Sequence, residues 1–210
     1  MFEQLTPEEI EKRSFEIITR ELEDTELAPD HADIIKRVIH TTADFDYVHN
    51  LYFSDGVVSK ALRAIQNGVS IVTDTRMARA GINARSLARF GGEVFCFMAD
   101  EDVALRAKTE KTTRAAVCME KAVSLNRPLI FAIGNAPTAL IKLQALIERK
   151  AVRPELVIAV PVGFVNVVES KELMMRTDVP LIVARGRKGG SNVAAAICNA
   201  LIYKLGKPEK

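Results

Sequence analysis

The chain has no tryptophan, and aromatic residues make up only 6% of its 210 positions. That leaves little material on which single-stranded bases could stack. An excess of charge of one sign is missing as well: 29 Lys and Arg stand against 27 Asp and Glu, for a formal net charge of +2. A domain that neutralises a nucleic-acid backbone is usually far more basic. Nucleic acid is therefore not an expected partner, and any anionic ligand must be held by a local cluster of cations. No apolar run reaches the roughly 18 residues that a membrane span needs, and the opening MFEQLTPEEIEKR is acidic and has no apolar signal core. A cytoplasmic location without membrane attachment is expected. Cysteine is scarce: Cys96, Cys118 and Cys198 lie far apart in apolar stretches, which predicts reduced, buried thiols rather than a disulfide framework. With only three histidines, these cysteines form no metal-ligand spacing. The P-loop, the dinucleotide fingerprint G-x-G-x-x-G and the serine-hydrolase elbow G-x-S-x-G are all missing.

Apolar residues are plentiful at 48%, enough for one sizeable core. Thr6-Pro7-Glu8-Glu9 predicts a capped helix start, with Glu9 completing a capping box. Ile10, Phe15, Ile17, Ile18 and Leu22 share one arc of that helix, and Ser14 lies within it. A second helix is expected from about Asp30 to His40, and a third from near Ser54 to Gln66, ending at Asn67-Gly68. Short apolar runs then follow at 69–73, 93–98, 128–133, 156–160 and 180–184, alternating with helix-length segments at 112–124, 136–149 and 192–204. This pattern predicts a single α/β domain: a five-stranded, mainly parallel sheet over residues 68–210, with residues 1–67 as a helical segment packed on it.

In such sheets ligands bind beyond the carboxyl ends of the strands. The last of those ends, Arg185-Gly186-Arg187-Lys188-Gly189-Gly190-Ser191, joins three cations and three glycines to a helix start. It suits either an anion site or simply a tight strand-to-helix turn. Gly134-Asn135-Ala136-Pro137-Thr138 also joins strand to helix. Asn135 suits an N-cap, while Gly134 would let a bulky ligand come close. His40 lies opposite the apolar stripe of its helix, at the C-terminal end. It is open to two readings: a solvated histidine favoured by the helix dipole, or a general acid whose proton that dipole retains. Ser14 would ordinarily bond back to a carbonyl one turn earlier. Arg76, Arg79 and Arg114, taken singly, would ordinarily cover surface.

Five segments in order, VIHTTADFDY (38–47), TDTRMARAGIN (73–83), IGNAPTAL (133–140), PVGFVNVVESKE (161–172) and GRKGGSNVAAA (186–196), resemble the precorrin-8X methylmutases, or precorrin isomerases. The resemblance runs from Ser14-Phe15 to the last helix. It implies a cofactor-free isomerase of cobalamin biosynthesis that shifts a methyl group from C-11 to C-12 of a corrinoid macrocycle. It places the family's histidine at His40, with a proton or hydrogen bond delivered to the nitrogen of the ring carrying the migrating methyl. Ser14 and Arg114 match further site positions, and Thr75 and Arg76 lie in a variable loop of the site. Together with the loops above, the expected substrate-binding set is Ser14, Thr75, Arg76, Arg114, Gly134, Asn135, Gly163, Arg187, Lys188, Gly189, Gly190 and Ser191. Thr41-Thr42-Ala43-Asp44 and Asp74-Thr75-Arg76-Met77 look more like the branch that handles cobalt-precorrin-8. Any cobalt would arrive within the substrate.

Two other classes compete on fold alone: a nucleotide- or S-adenosylmethionine-dependent transferase, and a non-catalytic corrinoid carrier. The helix at 192–204 is apolar on nearly every face. Either the N-terminal helices roof it over or a second subunit covers it, and the resemblance implies a homodimer with a shared cleft.

Overall fold

A computed structural model describes residues 4–23 and 25–206. The elements in chain order are α1 (Pro7–Glu21), α2 (Pro29–Thr42), α3 (Tyr47–Asn50), β1 (Leu51–Phe53), α4 (Val57–Gln66), β2 (Ser70–Thr73), α5 (Arg76–Gly81), α6 (Ala84–Ala88), β3 (Val94–Phe95), α7 (Glu101–Thr109), α8 (Arg114–Val123), β4 (Leu129–Ile133), α9 (Pro137–Glu148), β5 (Leu156–Ala159), α10 (Val167–Met174), β6 (Leu181–Ala184) and α11 (Ser191–Lys204). The predicted cap of α1 forms: Thr6 accepts from the Glu9 amide, and the Glu9 side chain accepts from Thr6. Ile18 and Leu22 carry that helix into the core, whereas Ile10, expected on the same face, is half exposed.

One sheet runs through the molecule in the order β1-β6-β5-β4-β2-β3. The five predicted strands are present and parallel. The sheet nevertheless has six strands where five were expected, because β1 pairs antiparallel with β6, Leu51 opposite Ala184 and Phe53 opposite Ile182. Three residues wedged between two helices are too few to show a period of two. Ser54 extends that pairing: its amide donates to the Leu181 carbonyl and its Oγ accepts from the Leu181 amide. This is why the third helix starts at Val57 and not at Ser54. The first segment is thus not wholly helical, since it supplies an edge strand.

Successive β4 side chains point to opposite faces, as the pleat requires. Ile130 and Ala132 meet α2, α4 and α11, while Leu129, Phe131 and Ile133 meet α8 and α9. The result is a three-layer α/β/α sandwich with a core on each side. The apolar α11 is covered within one chain. Val193, Ala194, Ala195, Ala196, Ile197, Cys198, Ala200, Leu201 and Ile202 are all buried. They pack against the sheet and α2, so this helix does not call for a second subunit. Cys118 and Cys198 are buried, and burial pushes each thiol up to about 12; Cys96 is only partly buried. No helix among the described residues is long and apolar enough to cross a membrane.

Candidate active site at the switch point of the sheet

Strand order reverses between β2 and β4, since β3 lies on one side of β2 and the later strands on the other. Loops leaving adjacent strands in opposite directions open a crevice at such a point. Here the crevice is braced by Asp74, which directly follows β2 and is 1% exposed. Its Oδ1 accepts from the Gly134 amide at 2.9 Å, and its Oδ2 from the Asn135 and Ala136 amides at 2.8 and 2.6 Å. Burial pushes the Asp74 carboxyl above its ordinary range, and the three amides oppose that shift. Asp74 occupies the donors that an external carboxylate would otherwise find at the start of α9. Sequence reasoning passed over it as one acid among many.

This arrangement corrects two expectations. Ala136, not Asn135, is the N-cap of α9, and its side chain makes no capping bond. Gly134 is buried, and a Cβ there would lie 2.7 Å from Ser191 Cα and 2.8 Å from the Gly190 carbonyl oxygen. Close approach of the β6–α11 loop is by itself enough to require glycine there. The same holds at Gly189, whose missing Cβ makes room for the Val160 carbonyl.

The β6–α11 loop is tied down from several sides. Thr75 Oγ1 and Ser191 Oγ share a hydrogen bond of 2.7 Å, which joins the ends of β2 and β6. The Gly190 amide donates to Val160, and the Gly163 amide donates to Arg187. Lys188 does not stand ready for a ligand: its Nζ lies 2.6 Å from both Asp44 Oδ2 and Asp46 Oδ2. The paired carboxylates raise its affinity for the proton, and Lys188 holds Asp44 below the usual carboxylate range. Asp44 lies two residues beyond α2, so this clamp fixes the end of α2 that carries His40.

His40 is exposed, with one ring face against Phe15, centroids 5.3 Å apart and planes 22° apart. The Arg37 guanidinium packs on Phe15 and Tyr203 and pairs with Glu11 at 2.7 Å, which locks α1 to α2. Ser14 adjoins Phe15, and its hydroxyl donates to the Ile10 carbonyl at 2.8 Å, the back-bond its helical position favours. Arg114 opens α8, whose cap Thr113 shares a 2.8 Å hydrogen bond with Thr138 at the start of α9. That places Arg114 at the same end of the sheet. Among the described residues, Arg76, Arg114 and Arg187 make no ion pair, and Arg187 lies 5.4 Å over the exposed ring of Phe164. Met77, Val162, Phe164 and Val165 expose apolar surface along this edge, a feature that strand periodicity could not reveal because all four lie in loops or at a helix start.

The fold and this edge define a class: an α/β protein whose loops at the carboxyl ends of the strands offer guanidiniums without an ion pair among the described residues and exposed apolar side chains, with the exposed imidazole of His40 on α2, the helix that the Lys188 clamp ties to the β6–α11 loop. The Precorrin-8X methylmutase family model matches residues 9–204. A "Cobalt-precorrin-8 methylmutase" of Salmonella typhimurium is 45% identical over 205 residues, 95% of this chain and 96% of that one. A "Precorrin-8X methylmutase" of Pseudomonas aeruginosa is 36% identical, covering 91% and 93% of the two chains. The crystal structure of the precorrin-8x methyl mutase from Thermus thermophilus superposes with a TM-score of 0.84 at 41% identity, over 92% of this chain and 95% of that one. The chain belongs to the precorrin-8X methylmutase family. It is an isomerase, an intramolecular methyl transferase of cobalamin biosynthesis with a corrinoid substrate, which sets aside the carrier and the S-adenosylmethionine-dependent transferase.

Proposed function

We propose that the chain is a cytoplasmic cobalt-precorrin-8 methylmutase that works as a homodimer, with His40 as its proton donor. The observation that carries the site is that Arg76, Arg114 and Arg187 make no ion pair among the described residues, with Arg187 over the exposed ring of Phe164 and Arg76 next to exposed Met77. A corrinoid is a large apolar ring edged with carboxylates, and this edge offers both kinds of surface. Cations without protein partners have no internal pair to break before meeting a carboxylate. The relatives of Salmonella typhimurium and Priestia megaterium, 45% and 42% identical and both named for cobalt-precorrin-8, support the cobalt-bearing substrate.

The methyl group leaves C-11 and attaches to C-12 of the same molecule, so no external acceptor or redox partner is required. His40 lends a proton or hydrogen bond to the macrocycle at the ring carrying that methyl and recovers it afterwards; in the cobalt form the nitrogen of that ring is a ligand of the metal and is not the acceptor. The protein's other contribution is to hold the ring still and in register. Of the loop residues, Arg187 binds a carboxylate directly, whereas Thr75, Gly134, Asn135, Gly163, Gly189, Gly190 and Ser191 shape the wall against which the ring rests. Ser14, one residue from the Phe15–His40 stack, lines the approach to the imidazole. Purified protein incubated with cobalt-precorrin-8 and with metal-free precorrin-8, followed by visible spectroscopy, tests the assignment. Faster conversion of the cobalt form is expected; a preference for the metal-free form would overturn it.

A further inference from the structure

Among the described residues, Lys171 is the largest charged side chain shut away from solvent, with no exposed surface. It projects from α10 beneath the β6–α11 loop, and its Nζ donates to the Gly186 carbonyl at 2.8 Å and the Lys188 carbonyl at 2.9 Å. No acid is paired with it among the described residues, and burial lowers its pKa to about 8. An ammonium kept out of water without a counter-charge costs stability.

The two carbonyls it holds flank Arg187. Gly186, Gly189 and Gly190 all adopt positive φ, at 74°, 155° and 144°. A loop built from such residues has little conformational preference of its own, so its shape must come from what grips it. Gripping the carbonyls on either side of one residue fixes the direction in which that residue's side chain leaves the loop. We propose that Lys171 is a positioning residue for substrate recognition, aiming the Arg187 guanidinium at a carboxylate of the corrinoid. The inference rests on the reading of Arg187 as a carboxylate ligand given above.

The test is a double-mutant cycle on KM and kcat, using Lys171→Met, Arg187→Ala and both together. Methionine fills the lysine's volume without its desolvation cost but leaves the Gly186 and Lys188 carbonyls without their donor, so a cooperative melting transition is verified for each variant before kinetics. Arg187→Ala alone should raise KM on the order of tenfold. Lys171→Met should raise KM by a similar factor with kcat nearly unchanged, and Arg187→Ala should then add little, because a guanidinium that is no longer aimed has little left to lose. Strict additivity, or a kcat loss at unchanged KM, would overturn the proposal. So would the absence of a melting transition in both Lys171→Met and the more conservative Lys171→Gln, which would make the residue a requirement of the fold. An unchanged KM in Arg187→Ala on its own would instead remove Arg187 as a ligand, an outcome that the cycle separates from the others.

Discussion

Asp74 and Lys171 bring opposite charges into the same end of the sheet, and each spends its charge on backbone groups rather than on a partner side chain. Asp74→Ala leaves three amides at the start of α9 without an acceptor, a loss on the order of 3 kcal/mol in stability. Asp74→Asn retains one acceptor oxygen and should lose about half as much, which urea denaturation measures. For Lys171 the sign follows from its lowered affinity for the proton. Between about 8 and the ordinary lysine value of 10.5, the unfolded chain holds a proton that the folded chain has released. The penalty for burying the charge is therefore full below pH 8 and fades as pH rises through that window. Wild type should gain stability relative to Lys171→Met across this range; a constant difference in Tm would contradict it. At His40 the expected change concerns rate: His40→Ala should lose about 10²–10⁴-fold in turnover while still binding the corrinoid. Wild-type turnover in that variant would take the imidazole out of the chemistry.

At the scale of elements, the clamp from Lys188 to Asp44 and Asp46 joins α2 to the β6–α11 loop, and its members are 43%, 30% and 67% exposed. Water and salt weaken pairs of this kind. Lys188→Ala should thus weaken corrinoid binding less than Arg187→Ala, and added salt should erase its effect first; equal losses for the two variants would count against that division. The capped α1, the parallel strands and the C-terminal end of α4 were legible because each rests on local chemistry: a capping box, runs of apolar residues, an Asn-Gly stop. The loops at the strand ends could be located as well, and strand ends are where parallel sheets bind ligands. What those loops do internally could not be read. Whether Gly134 faces a ligand or Ser191, and whether Lys188 faces solvent or Asp44, depends on segments far apart in sequence. The edge strand β1 was illegible for the same reason, as its pairing partner lies near the other end of the chain.

For the whole molecule, the covered α11 gives no ground for a dimer; in a cleft built by two subunits the exposed side chains of Met77, Val162, Phe164 and Val165, with Phe164 80% accessible, would face the ring and the partner alike. Light scattering at micromolar concentration should return twice the 23.1 kDa chain mass; a fully active monomer would defeat both the dimer and the shared cleft. The β1–β6 pairing also sets a timetable. Ser54 bonds to Leu181, 127 residues further along, and α2 packs on α11, among the last helical residues to be made. At a translation rate of roughly 5–20 residues per second, the segment bearing His40 leaves the ribosome on the order of ten seconds before its partners exist. During that interval its apolar stripe, Ile34, Ile35, Val38 and Ile39, has α1 beside it but lacks α11 and most of the sheet. The first and last parts of the chain therefore join late, and α2 reaches its final place against α11 only when synthesis is nearly over.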